Sequence, residues 1–223
     1  LDGTLPRGLV ADIGCDHGYL SAELADRGRT VAAVDVAEAP LDGCRRHFAE
    51  RCLEPAAYVL GDGVLAVQAD ERLGWCETAI VAGVGPRTAS AVVDGACSGP
   101  SPPPRRFVLQ PAQCWIGNMR SLRETLASNG YGVAEERWLD DNGPNQRPNG
   151  RRLLVTIRAD RDVAAAPSDT ELLVGLPSAD VARSAYVKHH TKWVEDVSNH
   201  PRDSRKRREA ARWLPLLRSE LLL

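Results

Sequence analysis

One short stretch near the start of the chain constrains its fold more than any other. Residues 8–11 are apolar, Asp12 follows them, and the chain then turns through Gly14 and Gly18 into an alanine- and leucine-rich segment. This order predicts a strand that ends at Ile13, a turn that contains glycine, and a helix. Such a unit opens the doubly wound sheets that bind nucleotides, so we expect a Rossmann-like α/β fold with a mainly parallel sheet.

The residue types in this turn favour a cationic ligand over a diphosphate. Dinucleotide-binding turns contain Gly-x-Gly-x-x-Gly, and the end of the following helix receives the pyrophosphate. Here the spacing is Asp-x-Gly-x-x-x-Gly, which lacks the third glycine and places the Asp12 carboxylate close to the turn. S-adenosylmethionine carries a sulfonium and an ammonium group but no phosphate, so it suits this turn better. A strand, turn and helix without any ligand is the alternative that this motif alone leaves open.

Two further carboxylates follow predicted strands. The second predicted strand ends in Asp35, close to the interval of about 20 residues at which an acidic residue accepts from ribose hydroxyls. The third predicted strand is followed by Asp62 and Gly63. A carboxylate at that position can accept from an adenine amino group, or it can serve only as a turn former. We expect Asp12, Asp35 and Asp62 to converge at the tips of three successive strands.

The rest of the first 160 residues predicts a seven-stranded sheet. The fourth strand is followed by Gly83 and Gly85, whose small size would let a substrate base approach the backbone. A polar loop is expected at 140–150, between the last two strands. The strands after the third are predicted at 78–82, 106–110, 131–139 and 153–158, and the helices after the first at 39–50, 88–94 and 115–129.

The composition changes after about residue 160. Ser168 or Asp169 is expected to cap a helix that follows an alanine-rich linker. An apolar stripe then predicts a long helix, with its rings in the helix core rather than in a base-stacking row. A break and a second helix at 202–222 predict an antiparallel helical hairpin, so we expect one domain at 1–160 and a second at 161–223. The stripe consists of Ala182, Tyr186, His189, Trp193 and Val197.

Charge and cysteine usage limit the classes of partner. The formal net charge is −2, so any binding of nucleic acid requires a local basic patch. Residues 202–208 contain five basic residues and one acidic residue, which is either a solvated helix face or a phosphate-binding surface. The six cysteines are scattered without a Cys-x-x-Cys pair, which indicates reduced thiols in the cytoplasm rather than a metal site. We expect the His189–His190 pair to lie on the surface and to bind no metal.

The chain contains no apolar run of about 20 residues, and its opening residues do not have the pattern of a signal peptide. We therefore expect no membrane association.

The run from Asp12 to Leu20, Asp-Ile-Gly-Cys-Asp-His-Gly-Tyr-Leu, resembles the first motif of the bacterial tRNA adenine-N1 methyltransferases that act on adenine 22 of tRNA (TrmK-like). The resemblance continues over nearly the whole chain, through segments at 61–63, 80–85, 109–111, 141–142 and 171–176. It implies a class I methyltransferase domain, which uses S-adenosylmethionine, followed by a coiled-coil-like helical domain that recognises tRNA. The chain differs from the family at three places. The family usually has glycine at the position of Pro86 and asparagine at the position of Ala112, and it lacks the inserted polar loop.

The chemistry of adenine N1 fits this expectation. N1 has an in-plane lone pair, so it can attack a methyl sulfonium without losing a proton first, and the product base is cationic. Catalysis then needs alignment and a nearby negative charge rather than a strong base. Asp16 is our candidate for that charge, with a helix N-cap as its alternative role, and Tyr19 either stacks on the base or packs the first helix on the sheet.

These considerations give one set of expected site residues. The catalytic residues are Asp16 and Tyr19; the cofactor-binding residues are Asp12, Gly14, Gly18, Asp35, Asp62, Gly63 and Gly83; the substrate-binding residues are His17, Gly85, Gln110, Arg205 and Arg208. We expect S-adenosylmethionine as the cofactor and tRNA as the substrate. The alternatives are a methyltransferase of the same fold with another RNA or a small molecule as acceptor, or a tRNA-binding relative without catalytic activity.

Overall fold

The computed structural model describes residues 8–141, 152–199 and 204–221. The predicted polar loop at 140–150 lies mostly outside these residues. The strands are β1 (Leu9–Ile13), β2 (Val31–Asp35), β3 (Ala57–Leu60), β4 (Cys76–Ala82), β5 (Arg106–Gln110), β6 (Gly132–Asp141) and β7 (Arg152–Asp160). The helices are α1 (Tyr19–Asp26), α2 (Glu38–Glu50), α3 (Gly63–Gln68), α4 (Pro86–Ser98), α5 (Ile116–Ser128), α6 (Asp169–Val174), α7 (Val181–Ser198) and α8 (Ser204–Glu220).

All seven strands form one sheet in the order β3-β2-β1-β4-β5-β7-β6. The first five strands in this order are parallel, and β7 pairs antiparallel with both β5 and β6. Because the chain leaves β1 toward β2 and β3 and later returns to place β4 on the other side of β1, the strand order reverses beside β1. Ligands of open α/β sheets bind at such a reversal, beyond the carboxyl ends of the strands. The predicted Rossmann-like fold is confirmed.

The sheet has an apolar core on each face. Successive side chains of β1 belong to different cores. Val10 packs with Leu24 of α1 on one face, whereas Ala11 and Ile13 belong to the larger core on the other face. Helices α1 and α2 cover the first face, and α3, α4 and α5 cover the second. Near-continuous apolar strands such as β1, which is buried along its whole length, are typical of parallel strands with helices on both faces.

The C-terminal helices extend the larger core. Tyr186 of α7 packs against Trp138 of β6, with ring centroids 4.7 Å apart, and both side chains are buried. The capping box that begins α6 confirms Ser168 as a cap, because its hydroxyl accepts from the Glu171 N–H while the Glu171 carboxylate accepts from the Ser168 N–H. Helices α7 and α8 contact each other along their length, as the predicted hairpin requires.

The buried face of α7 differs from the predicted stripe. Ala182 and Tyr186 are buried as expected, and Trp193 and Val197 are partly buried against the same core, but His189 is exposed, and His190 and Val194 are buried as well. His190 is only 3% exposed, so the expectation of a surface histidine pair is wrong for this residue. In the described part of the chain, no helix combines the length and the apolar character that a membrane span needs.

Candidate active site

Backbone hydrogen bonds join the carboxyl ends of β1, β2 and β3. The N–H groups of Gly14 and Cys15 both donate to the carbonyl of Val34 in β2, at 2.9 Å each. The N–H of Gly61, which follows β3, donates to the carbonyl of Asp35 at 2.9 Å. The loops after the three strands therefore lie at the same edge of the sheet, as the topology predicts.

Asp35 connects the first two of these loops. One oxygen of its carboxylate accepts from the N–H of Asp16 at 3.2 Å, and the other accepts from the N–H of Ala37 at 3.0 Å. A carboxylate has about four acceptor positions, so each oxygen keeps one for a further donor. Asp35 is only partly buried, and it can accept hydroxyl groups from a ligand at the tip of β2.

Asp12 is buried beneath the same loop. It is 3% exposed, and its carboxylate accepts a 2.6 Å hydrogen bond from the hydroxyl of Ser21 in α1. Burial is the main reason why the pKa of Asp12 rises to about 6, although hydrogen bonds from Ser21 oppose the rise and the charge of Asp35 adds to it. Asp12 carries its charge above about pH 6.

Asp62 stands at the tip of β3, immediately before α3. It occupies the N-cap position, yet among the described residues its side chain accepts no capping hydrogen bond from that helix. The residue is exposed, so its carboxylate faces solvent. Gly63 follows with a φ of 60°, which a residue with a side chain rarely adopts. Asp12 lies one residue before the end of β1, Asp35 ends β2, and Asp62 follows β3 by two residues. The three carboxylates therefore lie near the ends of neighbouring strands, and their convergence on one ligand stays a prediction.

Glycines line the gap between the loops after β1 and β4. Gly14 and Gly83 have φ values of 73° and 76°. A Cβ at Gly14 would lie 3.6 Å from Val84, and a Cβ at Gly83 or Gly85 would have no described residue other than its chain neighbours within 4 Å. This open floor lies beside β1, where the strand order reverses.

Gly18 serves packing rather than access for a ligand. It is buried, it begins α1 with a φ of 73°, and a Cβ there would lie 2.2 Å from the sulfur of Cys44 in α2. Gly18 is one of the residues that the sequence predicts to bind the cofactor. In the structure, the absence of a side chain at Gly18 lets α2 pack close to the turn.

Three residues of the first motif face solvent around the turn after β1. Asp16 has a φ of 50°, and its carboxylate lies 3.8 Å from the imidazole of His17, with both side chains more than half exposed. The N-cap of α1 is Gly18, so the alternative role of Asp16 as a helix cap is wrong. Tyr19 is 67% exposed and its ring packs edge-on against His47, 4.7 Å away, so it does not pack α1 on the sheet.

The expected substrate side is formed by the loops after β4 and β5. The N–H of Ala112 donates to the carbonyl of Val84 at 2.8 Å and thereby joins the two loops. Pro86 is the first residue of α4, a position where its missing N–H costs no helical hydrogen bond. Gly85 precedes it in an extended conformation, and the side-chain amide of Gln110 donates to the hydroxyl of Thr156 at 2.9 Å.

The expected phosphate-binding residues lie on α8. Arg208 is exposed, as are Lys206 and Arg207 beside it. The side chain of Arg205 lies outside the described residues. Within the described ranges, no group of three or more histidine, cysteine or acidic side chains is arranged to hold a metal ion.

Sequence reasoning missed two residues that shape this site. Ser21 holds the Asp12 carboxylate from a separate element, and no motif joins the two positions. Trp115 lies in the loop after β5, is 38% exposed, and packs against α7 through His190 and Trp193. The sequence shows only that Trp115 begins a predicted helix, because its partners lie far along the chain.

Comparisons with known proteins agree with this geometry. A family model described as a methyltransferase domain matches residues 4–145, which is more than half of the chain. The ubiquinone biosynthesis O-methyltransferase of Stutzerimonas stutzeri (strain A1501) is 40% identical over 63 residues, which cover 28% of this chain and 27% of that protein. The chain thus matches about a quarter of the length of that relative.

Solved structures extend the likeness to the C-terminal helices. The structure of M. capricolum TrmK in complex with S-adenosylhomocysteine has a TM-score of 0.79 at 14% identity, covering 99% of this chain and 94% of that one. A candidate tRNA (m1A22) methyltransferase of Streptococcus pneumoniae, in complex with S-adenosylmethionine, has a TM-score of 0.75 at 18% identity, covering 99% and 95%. At these identities the likeness concerns the fold. The match of the family model, in contrast, shows that the chain belongs to the methyltransferase domain family.

Proposed function

We propose that this chain transfers a methyl group from S-adenosylmethionine to N1 of an adenine in tRNA, at position 22. The observation that carries the proposal is the set of three carboxylates at the tips of β1, β2 and β3 beside an open glycine floor. The shared fold, which includes the C-terminal helices, supports the choice of acceptor, because the similar structures include TrmK and a candidate tRNA (m1A22) methyltransferase.

The donor set of the site fits this cofactor. S-adenosylmethionine offers an ammonium group, two ribose hydroxyls and an adenine amino group as donors, together with the positive sulfonium. The loops after the first three strands offer carboxylates and no lysine or arginine, since none occurs at 8–26, 35–44 or 61–71. Such a site suits a cationic, hydroxylated ligand and would repel a diphosphate.

Each carboxylate has a proposed role. Asp35 would accept from the ribose hydroxyls with the acceptor positions that its backbone partners leave free, and Asp62, beside Gly63, would accept from the adenine amino group. Asp12 would supply negative charge from below the turn. Gly14 and Gly83 would allow the methionine part to lie against the backbone, and Gly18 would contribute by holding the turn on α2.

The methyl-transfer step needs positioning and charge rather than a base. Bound S-adenosylmethionine supplies an electrophilic methyl group. Asp16, exposed in the turn after β1, would accept from the amino group of the target adenine and stabilise the positive charge that develops on the base. Tyr19 would stack on the base, and His17, Gly85 and Gln110 would contact it or its neighbours. Because N1 lies on the Watson–Crick edge, the adenine must be unpaired when it enters.

We also propose a division of labour along the chain. Residues 1–160 would form the methyltransferase domain, and residues 161–223 would form the helical part that binds tRNA. Arg205 and the exposed cations of α8, which include Arg208, would contact phosphates.

Methylation of an unmodified bacterial tRNA transcript tests the proposal. We expect the purified protein to add one methyl group, which mass spectrometry of nuclease fragments would map to N1 of adenine 22. A transcript with guanine at position 22 is the matched control and should remain unmodified. A methyl group at any other atom would contradict the assigned acceptor, and a failure to bind S-adenosylmethionine in calorimetry would contradict the enzyme itself.

Variants of two carboxylates separate binding from chemistry. Asp35→Ala should abolish cofactor binding, because the ribose hydroxyls lose their acceptor and the loop after β1 loses its support. Asp16→Ala should bind the cofactor like the wild type but lose turnover by a factor of about 100 or more, since one preorganised charge is worth roughly that much. Calorimetry and single-turnover methylation measure the two effects, and full activity in Asp16→Ala would show that the wrong carboxylate was assigned.

A further inference from the structure

An exposed tryptophan lies beside the proposed substrate loops without a role in the chemistry described above. Trp115 is 38% exposed, whereas Trp138, which packs under α7, is only 5% exposed. Its position is fixed by the sheet, because Ala112 in the same loop is bonded to Val84 after β4 and the loop starts where β5 ends. Trp115 therefore lies at the edge of the sheet that carries the three carboxylates.

Two rings of α7 hold the ring of Trp115 by edge contacts, and among the described residues no parallel ring covers it. His190 and Trp193 of α7 meet it nearly at right angles, with interplanar angles of 78° and 77° and centroid distances of 5.0 and 4.5 Å. These edge contacts fix the ring of Trp115, but His190 and Trp193 do not stack on its face. The backbone is fixed as well, since the carbonyl of Trp115 accepts from Met119 at 2.9 Å and the carbonyl of Cys114 contacts His190 at 3.3 Å.

The surroundings of Trp115 suit a nucleic acid. His189 is exposed and its ring lies 5.0 Å from that of His190. A rigid, partly exposed indole is the kind of group that single-stranded nucleic-acid sites use, because every base has a face that can stack.

We propose that Trp115 is a stacking platform for a nucleobase of the tRNA that neighbours the methylated adenine. This inference rests on the proposed function. The spacing of the sheet decides which base is involved, since β5 is two strands from β1 and neighbouring strands are about 4.8 Å apart. The loop after β5 starts roughly 10 Å from the tip of β1, and Trp115 lies five residues further along that loop. The platform therefore suits a nucleotide adjacent to the adenine that must meet the methyl group.

The platform also connects the catalytic edge to the helices that are proposed to bind tRNA. Because Trp115 rests on α7 and precedes α5, a base stacked on it would contact both parts of the chain at once. The stacked neighbour would thereby hold the target nucleotide in an unpaired conformation.

Matched tryptophan variants test the platform. Trp115→Ala should weaken tRNA binding at constant salt by roughly tenfold and raise KM for tRNA, with the affinity for S-adenosylhomocysteine unchanged. Trp115→Phe, which keeps an aromatic face, should recover most of the affinity. Trp75→Ala is the control, because Trp75 is 51% exposed but precedes β4 at the opposite edge of the sheet, and this variant should bind tRNA like the wild type.

A fluorescent base identifies the stacked nucleotide. In the wild-type protein, 2-aminopurine at position 21 or 23 of the tRNA should be quenched on binding, and Trp115→Phe should keep the quenching. Quenching that is confined to position 22, or equal tRNA affinity in Trp115→Ala and the wild type, would overturn the inference. So would a loss of tRNA binding in Trp115→Phe as large as in Trp115→Ala, since that pattern belongs to a packing role. If the wild-type protein binds S-adenosylhomocysteine but no tRNA, the proposed acceptor fails and the platform fails with it.

Discussion

Asp12 shows how a single buried carboxylate can favour a cationic ligand. Its burial among β1, α1 and the first turn raises its pKa to about 6, so the group is charged at neutral pH although the protein itself offers it little solvation. A cation bound above the turn would favour the charged form. The energetic cost of burying this carboxylate in the free protein is then offset when the ligand binds.

The affinity for S-adenosylmethionine should therefore depend on pH through Asp12. Below about pH 6 the carboxyl group is protonated and the attraction is lost, so we expect the affinity to fall by up to about tenfold per pH unit there and to level off above pH 7. Calorimetry between pH 5 and 8 measures this dependence. The variant Asp12→Asn should bind weakly at every pH, and an unchanged pH profile in that variant would assign the titration to another group.

The same residue should limit the stability of the free protein. A carboxyl group whose pKa rises from 3.8 to about 6 on folding adds stability that is fully present below about pH 3.8 and is lost as the pH rises through about 6. At pH 7, Asp12→Asn should thus increase the free energy of unfolding by at most about 3 kcal/mol, since the amide oxygen can still accept from Ser21. Urea unfolding measures the change. Asp16→Asn is the control, because Asp16 is exposed, and an equal gain in both variants would contradict this account.

At the scale of elements, a buried ion pair attaches α6 to the sheet. Arg123 of α5 donates from Nε to Glu136 of β6 at 2.8 Å, and both side chains are almost completely buried. A second nitrogen of Arg123 donates to the carbonyls of Leu172 and Leu173 at the end of α6, and Glu136 accepts from the N–H of Leu176 at 2.9 Å. The pair thus satisfies the polar groups that the end of α6 leaves unpaired.

Removing one partner of this pair should be costly. Arg123→Met leaves the Glu136 carboxylate buried without its cation, so we expect the free energy of unfolding to fall by about 3–5 kcal/mol. Arg120→Met is a matched control on the same helix, because Arg120 pairs with the partly exposed Glu124 and its loss should cost at most about 1 kcal/mol. Chemical denaturation compares the two, and similar losses would show that burial does not decide the value of the pair.

The exposed cations of α8 should determine how tRNA binding responds to salt. Changing Arg207, Arg208 and Arg212 together to Gln should weaken binding and reduce the slope of log affinity against log salt by about 2, because each phosphate contact releases close to one counterion. Arg218→Gln is the control on the same helix, since Arg218 is paired with Glu195 at 2.9 Å. An unchanged slope in the triple variant would make the basic run of α8 a solvated face.

At the scale of the whole molecule, the C-terminal helices share a core with the sheet. Trp138 of β6 is covered by Tyr186 of α7, and the carbonyl ends of α6 neutralise part of the charge of Arg123. A chain that ends at residue 160 would expose this tryptophan and leave the ion pair partly unsatisfied. The proposed division into two functional parts therefore does not imply two parts that fold independently.

Truncation tests this view. We expect residues 1–160 alone to melt at least 10 °C below the full chain, because a ring and a buried ion pair lose their cover and each change of about 1 kcal/mol shifts the melting temperature of a protein of this size by about 2–4 °C. Circular dichroism measures both transitions. Equal melting temperatures would show that the first 160 residues form an independent folding unit.

Much of the site followed from the sequence by itself. The strand-turn-helix pattern around Gly14 predicts a parallel sheet, and a parallel sheet places the ends of its strands at one edge, so Asp12, Asp35 and Asp62 could be brought together without coordinates. These are properties of local periodicity and of topology. The first motif and the basic run of α8 were likewise visible as residue types at short spacings.

Contacts that depend on how separate elements meet were decided only by the tertiary structure. The bond from Ser21 to Asp12, the packing of Cys44 into the space beside Gly18, and the support of Trp115 by α7 depend on the rotation of each helix about its own axis. The stripe of α7 was misjudged for the same reason, because a helix that packs against β6, α6 and α8 buries a broad arc that includes His190. Spacing along the chain determines which residues share a face of a helix, whereas the packing of that helix against its neighbours determines which face is buried.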